Sequence, residues 1–225
     1  MRDRIFISDF DGTVTKEDTL SRFLEDYADP KWLDVENDWR DGKFGSQECL
    51  VKQFALVPNL TPGLIDNFLE RMEIDEWFIP FCRRAKEIGM PVVVLSDGLD
   101  YFINKLLERY NIDFINVVTN HAYFNEQGRF IIEFPNAARM CSNGAGTCKC
   151  DIVRNLKKLY KTVYYAGDGV SDFCVSKLPD LVFAKSALSL YCRGNQIKFR
   201  SYKSYKEVLE YDRFGNNIRY ANQRA

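Results

Sequence analysis

The sequence predicts an α/β fold, in which a doubly wound parallel sheet forms the core and a small helical cap domain is inserted into it. Two observations predict this. Short apolar segments alternate with amphipathic segments along most of the 225 residues, and the alternation stops between residues 16 and 73. Alternating strand and helix patterns are typical of a sheet with helices on both faces. Active sites of such folds lie at the carboxyl ends of the strands.

Five apolar segments are predicted to be the strands of the sheet: 5–8, 91–95, 114–118, 162–166 and 181–183. Segments with apolar residues at helical spacing lie between them, among them 76–88, 101–110 and 151–159. Residues 121–134 alternate apolar and polar positions around a Glu-Gln-Gly turn, which predicts a β-hairpin.

The inserted domain is predicted from four consecutive helical patterns with no strand pattern among them: 19–27, 30–39, 46–55 and 62–71. Turn signals at 28–30, 41–42 and 58–59 separate these patterns. We therefore expect a core domain made of residues 1–15 and 74–225 and a cap domain made of residues 16–73. Most of the cap aromatics are expected to fill its interior, namely Phe23, Trp32, Phe44 and Phe54.

The composition gives no reason to expect a polyanionic partner. Hydrophobic residues make up 46% and charged residues 28%, with a formal net charge of -1, so we expect neither nucleic acid nor a membrane surface as a partner. The apolar run at the N-terminus is too short for a signal peptide or a membrane helix, which predicts a cytoplasmic protein. We expect the protein to be a monomer or a homodimer. Seven cysteines, an odd number, predict reduced thiols.

Two aspartates one residue apart, Asp9 and Asp11, follow the first predicted strand, and Gly12 allows a tight turn after them. Adjacent carboxylates repel each other unless a cation or a shared proton relieves the repulsion. A hard divalent ion with oxygen ligands would do so. The alternative is a strand end that carries two solvated acids.

A second acidic pair, Asp168 and Asp172, follows the predicted strand 162–166 in the segment GDGVSD. Either Ser171 or Asp172 could begin and cap the next helix. Because two strand ends carry carboxylate pairs, the sequence predicts a magnesium site formed by four residues: Asp9, Asp11, Asp168 and Asp172.

A third strand end provides donors for an anion. Ser96, Asp97 and Gly98 lead from the strand 91–95 into a helical segment, and a hydroxyl with backbone N–H groups at a helix start can bind phosphate. Lys149, just before the helix 151–159, would add a positive charge. Taken singly, the first three residues also fit an ordinary capped turn, and Lys149 is one of many lysines.

Taken together, these motifs resemble the haloacid dehalogenase-like (HAD) phosphohydrolase superfamily. Its four ordered motifs match DFDGT at 9–13, Ser96, Lys149 and GDGVSD at 167–172, so the resemblance spans nearly the whole chain. The resemblance implies a Rossmann-like core, a helical cap, and a small phosphate ester as the substrate. One position departs from the pattern, since Ser171 stands where an asparagine is common.

The resemblance also implies roles for these residues. Asp9 would attack phosphorus to form an aspartyl-phosphate, and Asp11 would protonate the leaving alcohol and then activate water. Ser96 and Lys149 would hold the phosphate. Mg²⁺ would be held by Asp9, the backbone carbonyl of Asp11 and Asp168, while Asp172 would support the metal site or orient the lysine.

Within the superfamily the chain resembles the branch of the phosphoserine phosphatases and, more closely, the methionine-salvage phosphatases of 2-hydroxy-3-keto-5-methylthiopentenyl-1-phosphate. DFDGTVTKED, NHAYF and CSNGAGTCKC at 141–150 carry this similarity. In phosphoserine phosphatases a cap glutamate and a cap arginine bind the amino acid, and here the corresponding positions are Asp18 and Gln53. Phosphoserine, phosphoethanolamine and phosphocholine are the alternative substrates.

Three other hypotheses stay open at this point. Cys141, Cys148 and Cys150, with His121, could bind zinc, although their spacing lacks the paired C-x-x-C halves of common structural sites. A phosphoacceptor signalling domain also carries acids, a hydroxyl and a lysine at strand ends, but it needs neither a cap nor Asp11. The third hypothesis is an inactive relative of the phosphatases.

Overall fold

A computed structural model describes residues 2–141, 143–211 and 214 of the chain. These residues form a seven-stranded sheet in the order β4-β3-β2-β1-β5-β6-β7, in which every neighbouring pair is parallel except β3 and β4. The strands are β1 Arg2–Ser8, β2 Val92–Leu99, β3 Asn116–Phe124, β4 Phe130–Glu133, β5 Tyr160–Gly167, β6 Leu181–Ala184 and β7 Phe199–Ser201.

The helices lie between the strands along the chain. They are α1 Thr19–Tyr27, α2 Trp32–Arg40, α3 Ser46–Phe54, α4 Pro62–Leu69, α5 Phe78–Glu87, α6 Asp100–Arg109, α7 Lys149–Leu159, α8 Ser186–Gly194 and α9 Tyr205–Leu209. Two short turns of 3₁₀ helix, Val170–Asp172 and Val175–Lys177, follow β5. None of the described helices has the length and apolar character needed to cross a membrane.

The predicted fold class is confirmed, because the sheet is mostly parallel and its two faces carry helices. Side chains of β1 alternate between the faces. Phe6 packs with Phe81 of α5 on one face, while Ile5 and Ile7 pack with Val153 of α7 on the other. A strand covered on both faces requires apolar residues at consecutive positions, which is why its sequence reads as an unbroken apolar run.

All five predicted strands are present; each extends beyond its prediction at one or both ends, while β2 and β3 begin one and two residues later than predicted. The predicted strand 114–118 and the first arm of the predicted hairpin form one continuous strand, β3, which pairs antiparallel with β4. The sequence reading missed β7, because three residues at the edge of a sheet carry too little periodicity to be recognised.

Helices α1 to α4 lie between β1 and β2, as the helical patterns predict. The chain leaves and re-enters the sheet region at one place, where Thr15 and Ile74 form an antiparallel bridge. The ring of Phe23 lies 5.1 Å from that of Phe102 in α6, and Phe54 stacks on Phe130 at 5.2 Å. The division into a core domain and a cap domain stays a prediction, as do the cytoplasmic location and the oligomeric state.

Candidate active site

Three predicted site residues meet at the carboxyl ends of adjacent strands. Asp9 follows β1, Ser96 lies near the end of β2, and Asp168 follows β5. Strand β1 lies between β2 and β5, and the backbone N–H of Asp9 donates to the carbonyl of Ala166 at 2.9 Å. The order of the strands therefore brings together motifs that are up to about 160 residues apart in the sequence.

The acidic cluster consists of Asp9, Asp168 and Asp172, which offer carboxylate oxygens that all lie within 4.8 Å of one another. Among the residues that the structure describes, no other group of three His, Cys, Asp or Glu side chains meets this condition. Thr13 donates to Oδ1 of Asp168 at 2.8 Å. Gly12, at φ +66°, lets the loop pass this carboxylate, because a Cβ there would lie 2.6 Å from Oδ2 of Asp168.

Asp172 is fixed by several donors. The Tyr165 hydroxyl donates to its Oδ1 at 2.5 Å, and the backbone N–H groups of Asp168 and Gly169 donate to its Oδ2 at 3.0 and 3.3 Å. Ser171 and Asp172 both lie inside the 3₁₀ turn Val170–Asp172, so neither begins the next helix as expected, although the Asp172 carboxylate caps this turn through the backbone N–H of Gly169. The carboxylate is thus tied to the loop that presents Asp168.

Lys149 is the first residue of α7 and is almost fully buried. Its Nζ lies 2.9 Å from Oδ1 of Asp9 and 2.7 Å from Oδ1 of Asp172, and it donates to Oγ of Ser171 at 3.1 Å. Burial disfavours the charged ammonium, but the carboxylates of Asp172 and Asp9 outweigh burial and raise the pKa of Lys149. The lysine is therefore a fixed positive charge beside Asp9.

The acids of the cluster carry more negative charge than their surroundings balance. Burial raises the pKa of Asp9 well above its ordinary value, the charge of Asp172 raises it further, and the nearby Lys149 lowers it. Burial and the charge of Asp172 raise the pKa of Asp168 to about 6. Oxygen ligands with an excess of negative charge are the donor set that a hard divalent cation prefers, so these residues fit Mg²⁺.

Asp11 has different surroundings from the cluster. Its Oδ1 accepts from the backbone N–H of Thr19 at 3.2 Å, and the Ser96 hydroxyl donates to its Oδ2 at 3.5 Å. Burial, followed by the negative charge of Asp18, raises the pKa of Asp11 to about 7. Near neutral pH this carboxyl group can therefore either give or take a proton.

The Ser96 segment leads into a helix as predicted, because α6 begins at Asp100, one residue before the predicted helical segment 101–110. The difference lies in the strand, since β2 continues through Gly98 to residue 99. The backbone N–H of Gly98 donates to Oγ of Ser96 at 2.9 Å. A Cβ at Gly98 would lie 2.7 Å from Oδ2 of Asp11, so the glycine lets the strand pass close to this acid.

The Asp97 carboxylate joins the cap side to the core instead of facing the acidic cluster. One oxygen accepts from the Ser46 hydroxyl at the start of α3, and the other accepts from the backbone N–H of Thr147 at 2.7 Å and from Nδ2 of Asn120 at 3.1 Å. The predicted role of Asp97 in phosphate binding therefore has no support from the orientation of its side chain.

Asp18 lies at the edge of a cavity of about 150 Å³ above the acids. It caps α1, because its Oδ1 accepts from the backbone N–H of Ser21 at 2.8 Å. Buried Gln53 lines the same cavity and donates through Nε2 to Oε2 of Glu36 at 3.0 Å. The cavity is also lined by Asp9, Asp11, Leu20, Leu24, Trp39, Leu50 and Ser96.

The four predicted cap aromatics divide between the interior and a cavity wall. Phe23, Trp32 and Phe54 are buried, whereas Phe44 is only partly buried and lines a neighbouring cavity of about 420 Å³. Nζ of Lys52 lies 4.2 Å above the Phe44 ring. The expectation that most of these rings fill the interior therefore agrees with their burial.

The predicted zinc ligands are not brought together as a set. His121 lies beside Asp100, with 2.6 Å between its Nδ1 and Oδ2 of the acid, and it stacks on Tyr123. Burial and the thiol of Cys141 raise the pKa of Cys148, whereas the thiol that acts on Cys150 is that of Cys174. Within CSNGAGTCKC, Ser142 lies outside the described residues.

Sequence reasoning missed several residues that shape the site. Thr13 and Tyr165 orient Asp168 and Asp172, and Lys185 donates from the end of β6 to the carbonyl of Thr13 at 3.3 Å. Asn120 binds the backbone carbonyls of Asp97 and Gly98 at 2.8 and 3.0 Å. Lys185 could have been found from its place just after a predicted strand; the others carry no signal besides their nearness to a motif.

Comparison with known proteins agrees with this geometry. The chain matches the haloacid dehalogenase-like hydrolase family over residues 6–177. A 2-hydroxy-3-keto-5-methylthiopentenyl-1-phosphate phosphatase of Bacillus pumilus is 32% identical over 210 residues, which cover 92% of this chain and 90% of that protein. The protein with the same name from Bacillus velezensis is 30% identical over 209 residues, with 92% and 88% covered.

Solved structures share the fold at lower identity. A phosphoserine phosphatase, solved as an analogue of its phospho-aspartyl intermediate, superposes with a TM-score of 0.68 at 19% identity and covers 94% of this chain and 99% of its own. A HAD family hydrolase from Salmonella enterica serovar Typhi gives a TM-score of 0.72 at 16% identity, covering 96% and 72%.

Proposed function

Because this chain belongs to the haloacid dehalogenase-like hydrolases and is a phosphatase of that type, we propose that it hydrolyses a small phosphate monoester through a phosphorylated Asp9 and requires Mg²⁺. One observation carries the proposal. A buried carboxylate, Asp9, lies 2.9 Å from a buried ammonium, while a second carboxyl with a pKa of about 7, Asp11, lies two residues further along the chain.

In the first half-reaction, a carboxylate oxygen of Asp9 attacks phosphorus, and the bond from phosphorus to the ester oxygen breaks. Asp11, protonated, gives its proton to the departing oxygen, because an unassisted alkoxide is a poor leaving group. In the second half-reaction, Asp11 takes a proton from water as the water oxygen attacks phosphorus. The bond to Asp9 then breaks, which releases phosphate and restores both acids.

The site must also overcome charge repulsion, since a phosphate monoester carries about -1.5 to -2 at neutral pH and approaches a carboxylate. Lys149 offers its ammonium beside Asp9, and Ser96 offers a hydroxyl near Asp11. Asp9, Asp168 and the backbone carbonyl of Asp11 would hold Mg²⁺, with Asp172 in support, and the bound ion would supply positive charge to the phosphate oxygens.

For the substrate we propose the methionine-salvage enol phosphate, 2-hydroxy-3-keto-5-methylthiopentenyl-1-phosphate. The two Bacillus relatives are named as phosphatases of this compound, and their similarity to this chain covers 90% and 88% of their lengths. The described residues that line the cavity above the acids include Leu20, Trp39 and Leu50 but no lysine or arginine. A carboxylate substrate such as phosphoserine would lack a bidentate partner there, whereas a methylthio tail would meet apolar side chains.

Phosphoethanolamine and phosphocholine form a second candidate class, favoured by one feature of the cavity. Asp18 and Glu36 both line it, and a substrate ammonium group would be attracted to their carboxylates. Trp39 also lines this cavity, and an indole ring attracts a cation that lies over its face.

The test is phosphate release with Mg²⁺ from the enol phosphate, phosphoserine, phosphoethanolamine and phosphocholine, with Asp9→Asn as the blank. We expect the highest kcat/KM on the enol phosphate. A preference for the amine esters would reject the methionine-salvage substrate and retain the chemistry. Equal release by wild type and Asp9→Asn on every ester would reject the phosphatase mechanism and favour a phosphoacceptor domain or an inactive relative.

A further inference from the structure

Four of the seven cysteines line one cavity of about 420 Å³ beside Lys149: Cys141, Cys148, Cys150 and Cys174. Within this cavity the thiols act on one another in two pairs: Cys174 raises the pKa of Cys150, and burial and the thiol of Cys141 raise the pKa of Cys148. No three of these sulfur atoms come close enough to share a metal ion among the described residues. Two separate thiol pairs in one cavity are better suited to disulfide formation than to metal binding.

The pair Cys150 and Cys174 joins the two chain segments that hold the charges of the site. Cys150 directly follows Lys149 at the start of α7. Cys174 follows Asp172 by two residues, and its Sγ lies 3.9 Å from the carbonyl oxygen of Ser171. Cys174 is exposed and Cys150 partly exposed, whereas Cys148 of the other pair is buried. An oxidant in solvent therefore reaches the Cys150 and Cys174 pair more readily.

We propose that Cys150 and Cys174 are an oxidation site, at which a hydroperoxide converts the two thiols into a disulfide that lowers the phosphatase activity. Disulfides in reducing compartments are usually transient and redox-sensing. The effect on activity rests on the function proposed above, whereas formation of the disulfide does not.

The reaction balances without a further reactant. The Cys174 sulfur, after losing its proton to water, attacks the peroxide oxygen that carries hydrogen, and the O–O bond breaks to give a sulfenic acid and a hydroxide or alkoxide. That ion takes up the proton released from the thiol and leaves as water or alcohol. The Cys150 sulfur then attacks the sulfenic sulfur, the S–O bond breaks, and the hydroxide that leaves combines with the Cys150 proton as water. The two thiols lose two electrons, and the hydroperoxide gains them.

The disulfide would disturb the geometry around Lys149. Two bonded sulfurs lie about 2.05 Å apart, closer than two thiols in non-covalent contact, so the disulfide would draw the start of α7 and the segment after the turn Val170–Asp172 towards each other. Lys149 bridges these segments through Asp172 at 2.7 Å and Ser171 at 3.1 Å. Because a misplacement of about 1 Å can slow catalysis by about 10²-fold, we expect a loss of at least about tenfold.

The experiment exposes the reduced full-length protein to hydrogen peroxide, blocks the remaining thiols by alkylation, and maps disulfide-linked peptides by mass spectrometry. We expect a peptide pair joined through Cys150 and Cys174, lighter by two hydrogens than the separate peptides. Activity should fall in parallel and return with dithiothreitol. Cys150→Ala and Cys174→Ala should each keep their own activity under the same treatment, whereas Cys141→Ala, at the neighbouring pair, should respond as wild type does.

Two results would overturn the proposal. One is peroxide treatment that leaves Cys150 and Cys174 fully alkylatable, or links other cysteines instead. The other is a mapped Cys150 to Cys174 disulfide with unchanged turnover, which would remove the proposed control of activity. Peptide mapping needs no turnover, so a chain that hydrolysed none of the esters would defeat the proposed function while the oxidation site was still tested.

Discussion

Asp9 and Asp11 stand two residues apart at one strand end, yet each meets different neighbours. Asp9 faces Lys149 and shares the acidic cluster, whereas Asp11 faces the Ser96 hydroxyl and the start of α1. Burial raises the pKa of both acids, but the Lys149 ammonium 2.9 Å from Asp9 favours the ionised form of that acid, whereas the groups that donate to Asp11 are uncharged. These surroundings suit Asp9 to attack and Asp11 to transfer protons, as the proposed mechanism requires.

Asp9→Asn should abolish turnover and leave the protein folded. The amide is similar in size but is a poor nucleophile, so we expect phosphate release to fall by at least about 10³-fold. Because burial raises the pKa of Asp9, its charge is unfavourable in the fold, and the neutral amide should not lower the melting temperature. The control is Asp3→Asn, an exposed acid paired with Lys161. Wild-type turnover in Asp9→Asn would refute the role of this residue.

Asp18→Asn should shift the pH profile of kcat/KM. The first half-reaction needs protonated Asp11, so activity should decline as pH rises through the pKa of Asp11, which is about 7. The charge of Asp18 helps to raise that pKa, and its removal should move the alkaline limb to lower pH. Asparagine can still cap α1, so the helix is kept.

The matched control for that profile is Asp29→Asn, because Asp29 also accepts a backbone N–H in the cap, from Lys31 at 3.0 Å, and does not line the cavity above the acids. Its pH profile should coincide with that of the wild type. An alkaline limb that stays in place in Asp18→Asn would show that the charge of Asp18 does not act on Asp11.

At the scale of elements, the start of α3 meets the loop before α7 at a pair of glycines. A Cβ on Gly45 would lie 2.3 Å from the carbonyl oxygen of Gly144, closer than any stable contact. Beside them, the Ser46 hydroxyl accepts from the backbone N–H of Gly146 at 3.0 Å, and Gln47 Nε2 donates to the carbonyl of Ala145 at 3.1 Å. This junction holds the helical region against the core at the cavity wall.

Gly45→Ala should separate this junction without unfolding the protein. The added methyl must displace the Gly144 backbone, which would also shift Ser46, the residue after Gly45, in the wall of the cavity above the acids, and we expect kcat/KM to fall by about tenfold. Gly63→Ala in α4 is the control, because no atom lies within 4 Å of a Cβ placed there. Equal kinetics of the two variants, with similar melting temperatures, would show that the junction does not affect the reaction.

The sequence pattern of apolar strands followed by acids, together with the parallel order of the strands, predicts the acidic cluster, because parallel strands end at the same edge of the sheet whatever the conformation of the loops. The orientation of Asp97 was not predictable in this way. Its carboxylate is bound by Ser46, Asn120 and Thr147, which come from three distant segments of the chain. The end of β2 was misjudged for a related reason, since pairing with β3 extends this strand from its predicted end at residue 95 to residue 99.

At the scale of the whole molecule, the buried acids oppose folding near neutral pH. The folded pKa of Asp168 is about 6, above the ordinary value of 3.8, so the folded state binds more protons than the unfolded state between these values. The contribution of Asp168 to the free energy of unfolding is therefore fully present below about pH 4 and is lost as the pH rises to about 6. Asp11, with a folded pKa of about 7, extends the same loss by one pH unit.

A divalent cation held by the acidic cluster should reverse this loss, which predicts that Mg²⁺ raises the melting temperature at pH 7.5. At a concentration 100 times its Kd the ion should add about 2.7 kcal/mol, which corresponds to roughly 5–11 °C for a chain of this length. The gain should shrink towards pH 5, because protons then compete for the same carboxylates.

Asp168→Asn tests how much of the rise in melting temperature on adding Mg²⁺ comes from binding at the acidic cluster. The variant should be at least as stable as the wild type without Mg²⁺ at pH 7.5, since it lacks an unfavourable charge, and it should respond weakly when the ion is added. Asp151→Asn, in the first turn of α7, is the control and should respond fully. If Mg²⁺ raised the melting temperatures of both variants equally, the ion would be binding outside the cluster, and the proposed site at Asp9 and Asp168 would be wrong.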